Sequence, residues 1–108
     1  MEMSKLLDFI GTESERLNRV YGNLDSEKVI LARTVKLGEE VGELCEAVLS
    51  NLSLQWKHKP KVSRDELEKE FADVVITTLL MAHSMDVDVR GALERKIQVI
   101  KNRNKGKP

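Results

Sequence analysis

Between Phe71 and Ala82 the chain reads Phe-Ala-Asp-Val-Val-Ile-Thr-Thr-Leu-Leu-Met-Ala, a run that is apolar on nearly every side of a helix. Asp73 sits inside this run and Glu70 one turn before it. An ionised carboxylate is costly to bury unless something cationic pairs with it. Between Arg64 and Arg90 the only lysine or arginine is Lys69, which points to another side of the helix. The compensating charge must come from another part of the fold, from a partner chain or from solution.

The rest of the chain favours helices. Only two prolines occur, Pro60 and Pro108, aromatic residues make up 4%, and strongly alternating strand patterns are absent. Four helices are expected. The first covers about residues 4–19, with Leu6, Leu7, Phe9, Ile10 and Leu17 in its apolar set, and Tyr21-Gly22-Asn23 ends it. The second starts at Asp25 or Ser26, either a plausible N-cap, and continues to about residue 50. A loop to residue 62 holds Trp56, the run Lys57-His58-Lys59, and Pro60. The third opens on Ser63-Arg64-Asp65-Glu66, a capping-box pattern, and ends near residue 84 or 85. After Asp86-Val87-Asp88 the fourth covers about residues 89–102. At 108 residues this is a single all-α domain, residues 1–104, with a short basic tail over 105–108. A chain of this size should not bury its third helix on every side by itself. A bundle completed by a second copy, with two-fold symmetry, is therefore expected.

The second helix adds the other half of an acidic constellation. Glu40 and Glu43 fall about 60° apart on a helical wheel, and Glu39 and Glu46 extend their face. Val41, Leu44, Cys45, Val48 and Leu49 cover the other side. Gly38 and Gly42 would let another helix come close, a use for residues that each cost a helix about 1 kcal/mol relative to alanine. Two helices thus present acids at i and i+3. Packed face to face, they would bring four carboxylates to one pocket, where repulsion demands a counter-ion. Oxygen ligands with no nearby His or Cys suit Mg²⁺, with Mn²⁺ as a substitute. Taken alone, the acids of the second helix read best as a solvated face. The Glu70/Asp73 pair in an apolar helix raises a metal site to an equal alternative.

The two segments Lys36-Leu37-Gly38-Glu39-Glu40-Val41-Gly42-Glu43-Leu44 and Glu70-Phe71-Ala72-Asp73-Val74-Val75-Ile76 resemble the MazG family, the all-α nucleoside triphosphate pyrophosphohydrolases. That family's motif is E-E-x-x-E, a variable spacer, then E-x-x-D. Both halves are present in order across a 26-residue spacer, and the resemblance runs from about Lys36 to Arg103. It implies a four-helix MazG-type bundle assembled as a homodimer or homotetramer. It implies Mg²⁺ held by Glu40, Glu43, Glu70 and Asp73. It also implies cleavage of an NTP or dNTP between the α- and β-phosphates to NMP and pyrophosphate, as in house-cleaning of the nucleotide pool. Glu39 matches the first motif position and would hold a further metal or orient the attacking water. Lys96, Lys101 and Arg103 resemble the basic end of the family's last helix, which can reach triphosphate oxygens. Two alternatives stand beside this reading. One is phosphoribosyl-ATP as the substrate, which the same acids would serve. The other is a non-catalytic helical module for oligomerisation or partner binding.

Several residues carry two readings. Lys36 lies one turn before Glu40, and is either an i,i+4 ion pair worth a few tenths of a kcal/mol or a substrate contact. Trp56 would stack on a base or anchor its loop. Residues 89–108 hold one acid, Glu94, against seven bases, a solvated tail or a cationic patch for an anionic ligand. Cys45 reads as a small core residue and His83 as structural. Eighteen basic and eighteen acidic residues cancel, which argues against nucleic acid as a partner. The stretch from Val74 to Ala82 is too short to span a membrane. No apolar leader opens the chain and the single cysteine fits a reducing compartment, so a cytoplasmic location is expected.

Overall fold

A computed structural model describes residues 1–53 and 61–107. Four helices follow one another: α1 (Met3–Val20), α2 (Ser26–Asn51), α3 (Arg64–Ser84) and α4 (Val89–Arg103), with no strand among the described residues. Side-chain caps set the starts of α2, α3 and α4. The Asp25 carboxylate accepts from the Lys28 N–H at 3.0 Å, and the Ser63 hydroxyl from the Glu66 N–H at 3.2 Å. The Asp88 carboxylate accepts from the Gly91 N–H at 3.0 Å. Each bond satisfies one of the donors that a helix N-terminus leaves open. Between α1 and α2 the backbone turns through left-handed conformations at Gly22 (φ 80°) and Asn23 (φ 53°), two residue types that tolerate them.

α3 is the central element, packed against α1 on one side and α2 on another. The ends of the α2–α3 connection are tied together. The Val62 N–H donates to the Ser50 hydroxyl at 2.8 Å, and the Asn51 amide donates to the Val62 carbonyl at 3.3 Å. The core is small. Ile10, 1% exposed, meets Leu79 and Leu80, with Leu6, Leu7, Leu17, Ile76 and Val89 packed around them. α4 packs little against the other helices, and its Leu93, Ile97, Val99 and Ile100 are exposed. The radius of gyration is 17.3 Å, where a compact domain of this length has about 13 Å. Phe71 and Val75 of α3 are half exposed, so the single chain leaves part of that apolar helix uncovered. No helix among the described residues is long and apolar enough to cross a membrane.

One expectation for α2 is corrected. Cys45 is exposed rather than a core residue, and Val41 and Leu49 beside it are each more than 40% exposed. An added Cβ at Gly38 or Gly42 would meet no described atom within 4 Å, so the space over both glycines is open. The reason is the orientation of the helix. α2 packs on α3 through Arg33, Glu40, Ala47 and Ser50, and these are its buried residues. Its apolar side points away from the rest of the chain. His83 is exposed too, its ring 3.8 Å from where a Cβ on Gly11 would stand.

Candidate active site

The stripe that α2 turns toward α3 carries the acids. Glu40 is 7% exposed, Glu70 is half-buried and Glu43 is exposed. One carboxylate oxygen from each of the three lies within 4.8 Å of the others. Glu40 and Glu43 occupy successive turns of α2, and Glu70 comes from the facing stretch of α3, as the i,i+3 spacing requires. Glu40 Oε2 and Glu70 Oε2 are buried and have no hydrogen-bond partner among the described residues. Buried polar atoms are nearly always satisfied, so two orphaned carboxylate oxygens in one cluster mark a place for a cation.

One protein cation answers part of this charge. Lys36 Nζ lies 3.2 Å from Glu40 Oε1 and 3.6 Å from Glu39 Oε2. The bond and charge of Glu40 raise the pKa of Lys36. A single exposed ammonium is not enough. The Glu43 pKa is pushed above the usual glutamate value, first by the charge of Glu40, then by desolvation and by the charge of Glu70, with Lys36 opposing. The donor set is all carboxylate oxygen, the chemistry of Mg²⁺ or Mn²⁺. The residues present therefore fit a divalent cation.

The other expected site residues are placed as follows. Asp73 is half-buried on α3, one turn beyond Glu70, and stands outside the group of three converging carboxylates. Glu39 is exposed and turned toward Lys36. Lys96, Lys101 and Arg103 are exposed on α4, which packs little on the rest of the chain. Trp56 lies outside the described residues. Sequence reasoning passed over Arg33, a buried arginine two turns before Glu40 on the same stripe of α2. Its Nη1 donates to the Leu80 carbonyl at 2.9 Å and its Nη2 to the Asn18 side-chain oxygen at 3.4 Å. The seven-residue spacing from Glu40 was the available signal, since it puts both on one face.

With this geometry in place, comparison with known proteins gives the family. The phosphoribosyl-ATP pyrophosphohydrolase family matches residues 14–104. No curated protein and no solved structure gives a match. The match takes in every acid of the cluster, all of α2, α3 and α4, and the last two turns of α1. Of the two pyrophosphohydrolase readings, it favours phosphoribosyl-ATP over a general NTP or dNTP. The chain belongs to the phosphoribosyl-ATP pyrophosphohydrolase family, within the MazG-like all-α superfamily of enzymes that hydrolyse acid anhydrides.

Proposed function

We propose that this protein is a Mg²⁺-dependent pyrophosphohydrolase that cleaves phosphoribosyl-ATP to phosphoribosyl-AMP and pyrophosphate. The observation that carries the reading is the convergence of Glu40, Glu43 and Glu70, with two buried orphan oxygens, inside the segment that matches the family. In the reaction the oxygen of water bonds to the α-phosphorus. The bond from that phosphorus to the oxygen bridging the α- and β-phosphates breaks, and pyrophosphate leaves.

Glu40, Glu43 and Glu70 would hold Mg²⁺, with Asp73 joining from the next turn of α3, and Mn²⁺ would substitute. When bound, the ion neutralises phosphate charge and makes its water more acidic. Glu40 is the most deeply buried ligand, and Lys36 fixes it through Oε1 while Oε2 stays free. Glu39, held from the side by Lys36, would orient the attacking water. The basic side chains of α4, Lys96, Lys101 and Arg103, would meet triphosphate oxygens. Because α4 stands off its own chain, they would reach a neighbouring copy's site more readily than their own.

A homodimer, or a tetramer built from it, completes this reading. The outward side of α2 carries Leu31, Val35, Gly38, Gly42, Cys45 and Leu49, all exposed. Their steps of four and three residues are those of a coiled-coil seam. The stripe is also symmetric about position 40. An antiparallel second α2 would set Leu31 against Leu49, Val35 against Cys45 and Gly38 against Gly42, an isologous contact. The empty space over both glycines allows the backbones to approach. The exposed Phe9, Phe71 and Val75 on the α1/α3 side offer a further contact for a tetramer.

The test is pyrophosphate release from phosphoribosyl-ATP and from a panel of NTPs and dNTPs, with and without Mg²⁺. Metal-dependent release from phosphoribosyl-ATP, with little from the panel, is the expected result. Turnover of the panel alone would return the enzyme to nucleotide-pool cleaning. No turnover in a folded protein would leave a helical binding module.

A further inference from the structure

Between the end of α1, the first turns of α2 and the second half of α3 lies a cavity of about 360 Å³. That falls within the range of small-molecule sites, and the wall is largely apolar, as such sites are. Five side chains with polar groups line it: Asn18, Tyr21, Arg33, Lys36 and Thr77. No carboxylate lines it, and none pairs with Arg33 among the described residues. Arg33 is therefore a buried cation whose two bonds go to neutral oxygens, of Leu80 and Asn18. Desolvation lowers its pKa accordingly.

A guanidinium has five N–H donors, and Arg33 commits two groups here. The Asn18 oxygen accepts from Arg33, which leaves the Asn18 amide N–H groups to donate elsewhere. Lys36 is a donor as well. The cavity thus pairs an apolar wall with an excess of donors and positive charge. Its complement is a flat ring bearing acceptor atoms and attached to an anion.

The position of the cavity narrows that class. Lys36 both lines the cavity and holds Glu40 at 3.2 Å, so the space opens beside the acidic cluster. On α3, Thr77 lines it one turn beyond Asp73. One helical turn is about 5.4 Å, so phosphates held at the acids would leave the attached nucleoside at the mouth of this cavity. We propose that the cavity receives the nucleoside end of the substrate, with Asn18 and Arg33 donating to acceptor atoms of the base and Lys36 facing the α-phosphate. The assignment rests on the pyrophosphohydrolase reading and adds the residues that select the nucleoside.

Ala32 lines the cavity but is exposed, so Ala32→Phe fills the space without disturbing the core. Two ligands separate the cavity from the acids. The nucleotide substrate uses both, whereas inorganic tripolyphosphate with Mg²⁺ uses the acids alone. Ala32→Phe is expected to raise KM for the nucleotide by at least about tenfold and to leave inhibition by tripolyphosphate unchanged. Asn18→Ala should raise KM for the nucleotide without adding bulk, again with inhibition by tripolyphosphate unchanged. An unchanged KM in Ala32→Phe overturns the proposal, as does an equal weakening of nucleotide and tripolyphosphate. If the wild type turns over no nucleotide, the function reading fails separately and calorimetry with AMP judges the cavity. Binding to the wild type that is lost in Ala32→Phe supports it. No binding, or equal binding by both, overturns it.

Discussion

Replacing Glu40 with glutamine should stabilise the metal-free protein and abolish its response to metal. In the wild type, Glu40 Oε2 is buried with no partner. An unsatisfied buried group of this kind costs about 1–3 kcal/mol. Against that stands the ion pair with Lys36, whose side chain is 57% exposed. Such an exposed i,i+4 pair returns only about 0.3–0.5 kcal/mol. Glutamine keeps the shape, removes the repulsion with Glu43 and Glu70, and offers an N–H to the orphaned Glu70 oxygen. The net gain without metal is therefore about 1–2 kcal/mol. For a domain of this length that is a rise in Tm of roughly 4–16 °C. Mg²⁺ reverses the order. At about a hundred times its Kd, a ligand that binds only the native state adds about 2.7 kcal/mol, and the wild type receives this whereas Glu40→Gln does not. Thermal melts of both proteins, in chelator and in saturating Mg²⁺, should therefore cross. A variant that melts below the wild type in chelator, or that gains as much from Mg²⁺, would refute the assignment of Glu40 as a buried ligand without a cation.

Four other outcomes are expected. In chelator, the raised Glu43 pKa means the native state takes up a proton before the unfolded state does. Stability then rises as pH falls toward the ordinary glutamate value of 4.5 and is lost as pH climbs through the native pKa; the difference between wild-type and Glu43→Gln urea curves measured against pH should show that slope. Ile10→Ala empties the most buried position of a small core and should cost about 2–5 kcal/mol in urea denaturation, a loss below about 1 kcal/mol contradicting the core as described. Ser50→Ala orphans the Val62 N–H and should cost about 1–3 kcal/mol by the same measurement. If the chain self-associates through α2 as proposed, Val35→Asp with Leu49→Asp on the outward stripe should lower the mass in light scattering to that of a monomer, and a mass equal to that of an oligomeric wild type would exclude α2 self-pairing.

Much of the architecture was legible because its causes are local. Asp25 and Ser63 cap the helices they were expected to cap, since a side-chain acceptor beside free N–H groups acts within one turn. The pairing of Glu40 and Glu43 with Glu70 was legible for a related reason. Carboxylates in the apolar stretch around Asp73 called for a cation, and the E-E-x-x-E helix offered further oxygen donors for one at matching spacing. Asp73 was expected to join them, from the i,i+3 spacing and from the motif. The three acids that converge leave it one turn away, because spacing along a helix specifies a face and not the rotamer that reaches a common point. Nothing local marked Arg33 as buried. Its environment is made by Asn18 and Leu80, 15 and 47 residues away in the chain.

The orientation of α2 was the one large feature that periodicity could not decide. A wheel correctly sorts Glu40 from Val41 and Cys45, but it says only which residues share a face. Assigning the apolar face to the core follows the general rule for surface helices, and here the rule meets a competing demand. The acidic cluster between α2 and α3 lies inside, and the cations of α3, Arg64 and Lys69, are exposed. The apolar face is then left over, with Leu31, Val35 and Leu49 exposed on a chain whose own core is little more than Ile10, Leu79 and Leu80. Burial of that leftover face against a second copy, as proposed above, would offset the cost of gathering three like-charged carboxylates on so small a core. On that proposal, the acids inside and the self-association outside are two consequences of one helix orientation. A variant that breaks the outward stripe should loosen the acidic cluster as well, measurable as weaker Mg²⁺ binding by a protein whose ligands are all intact.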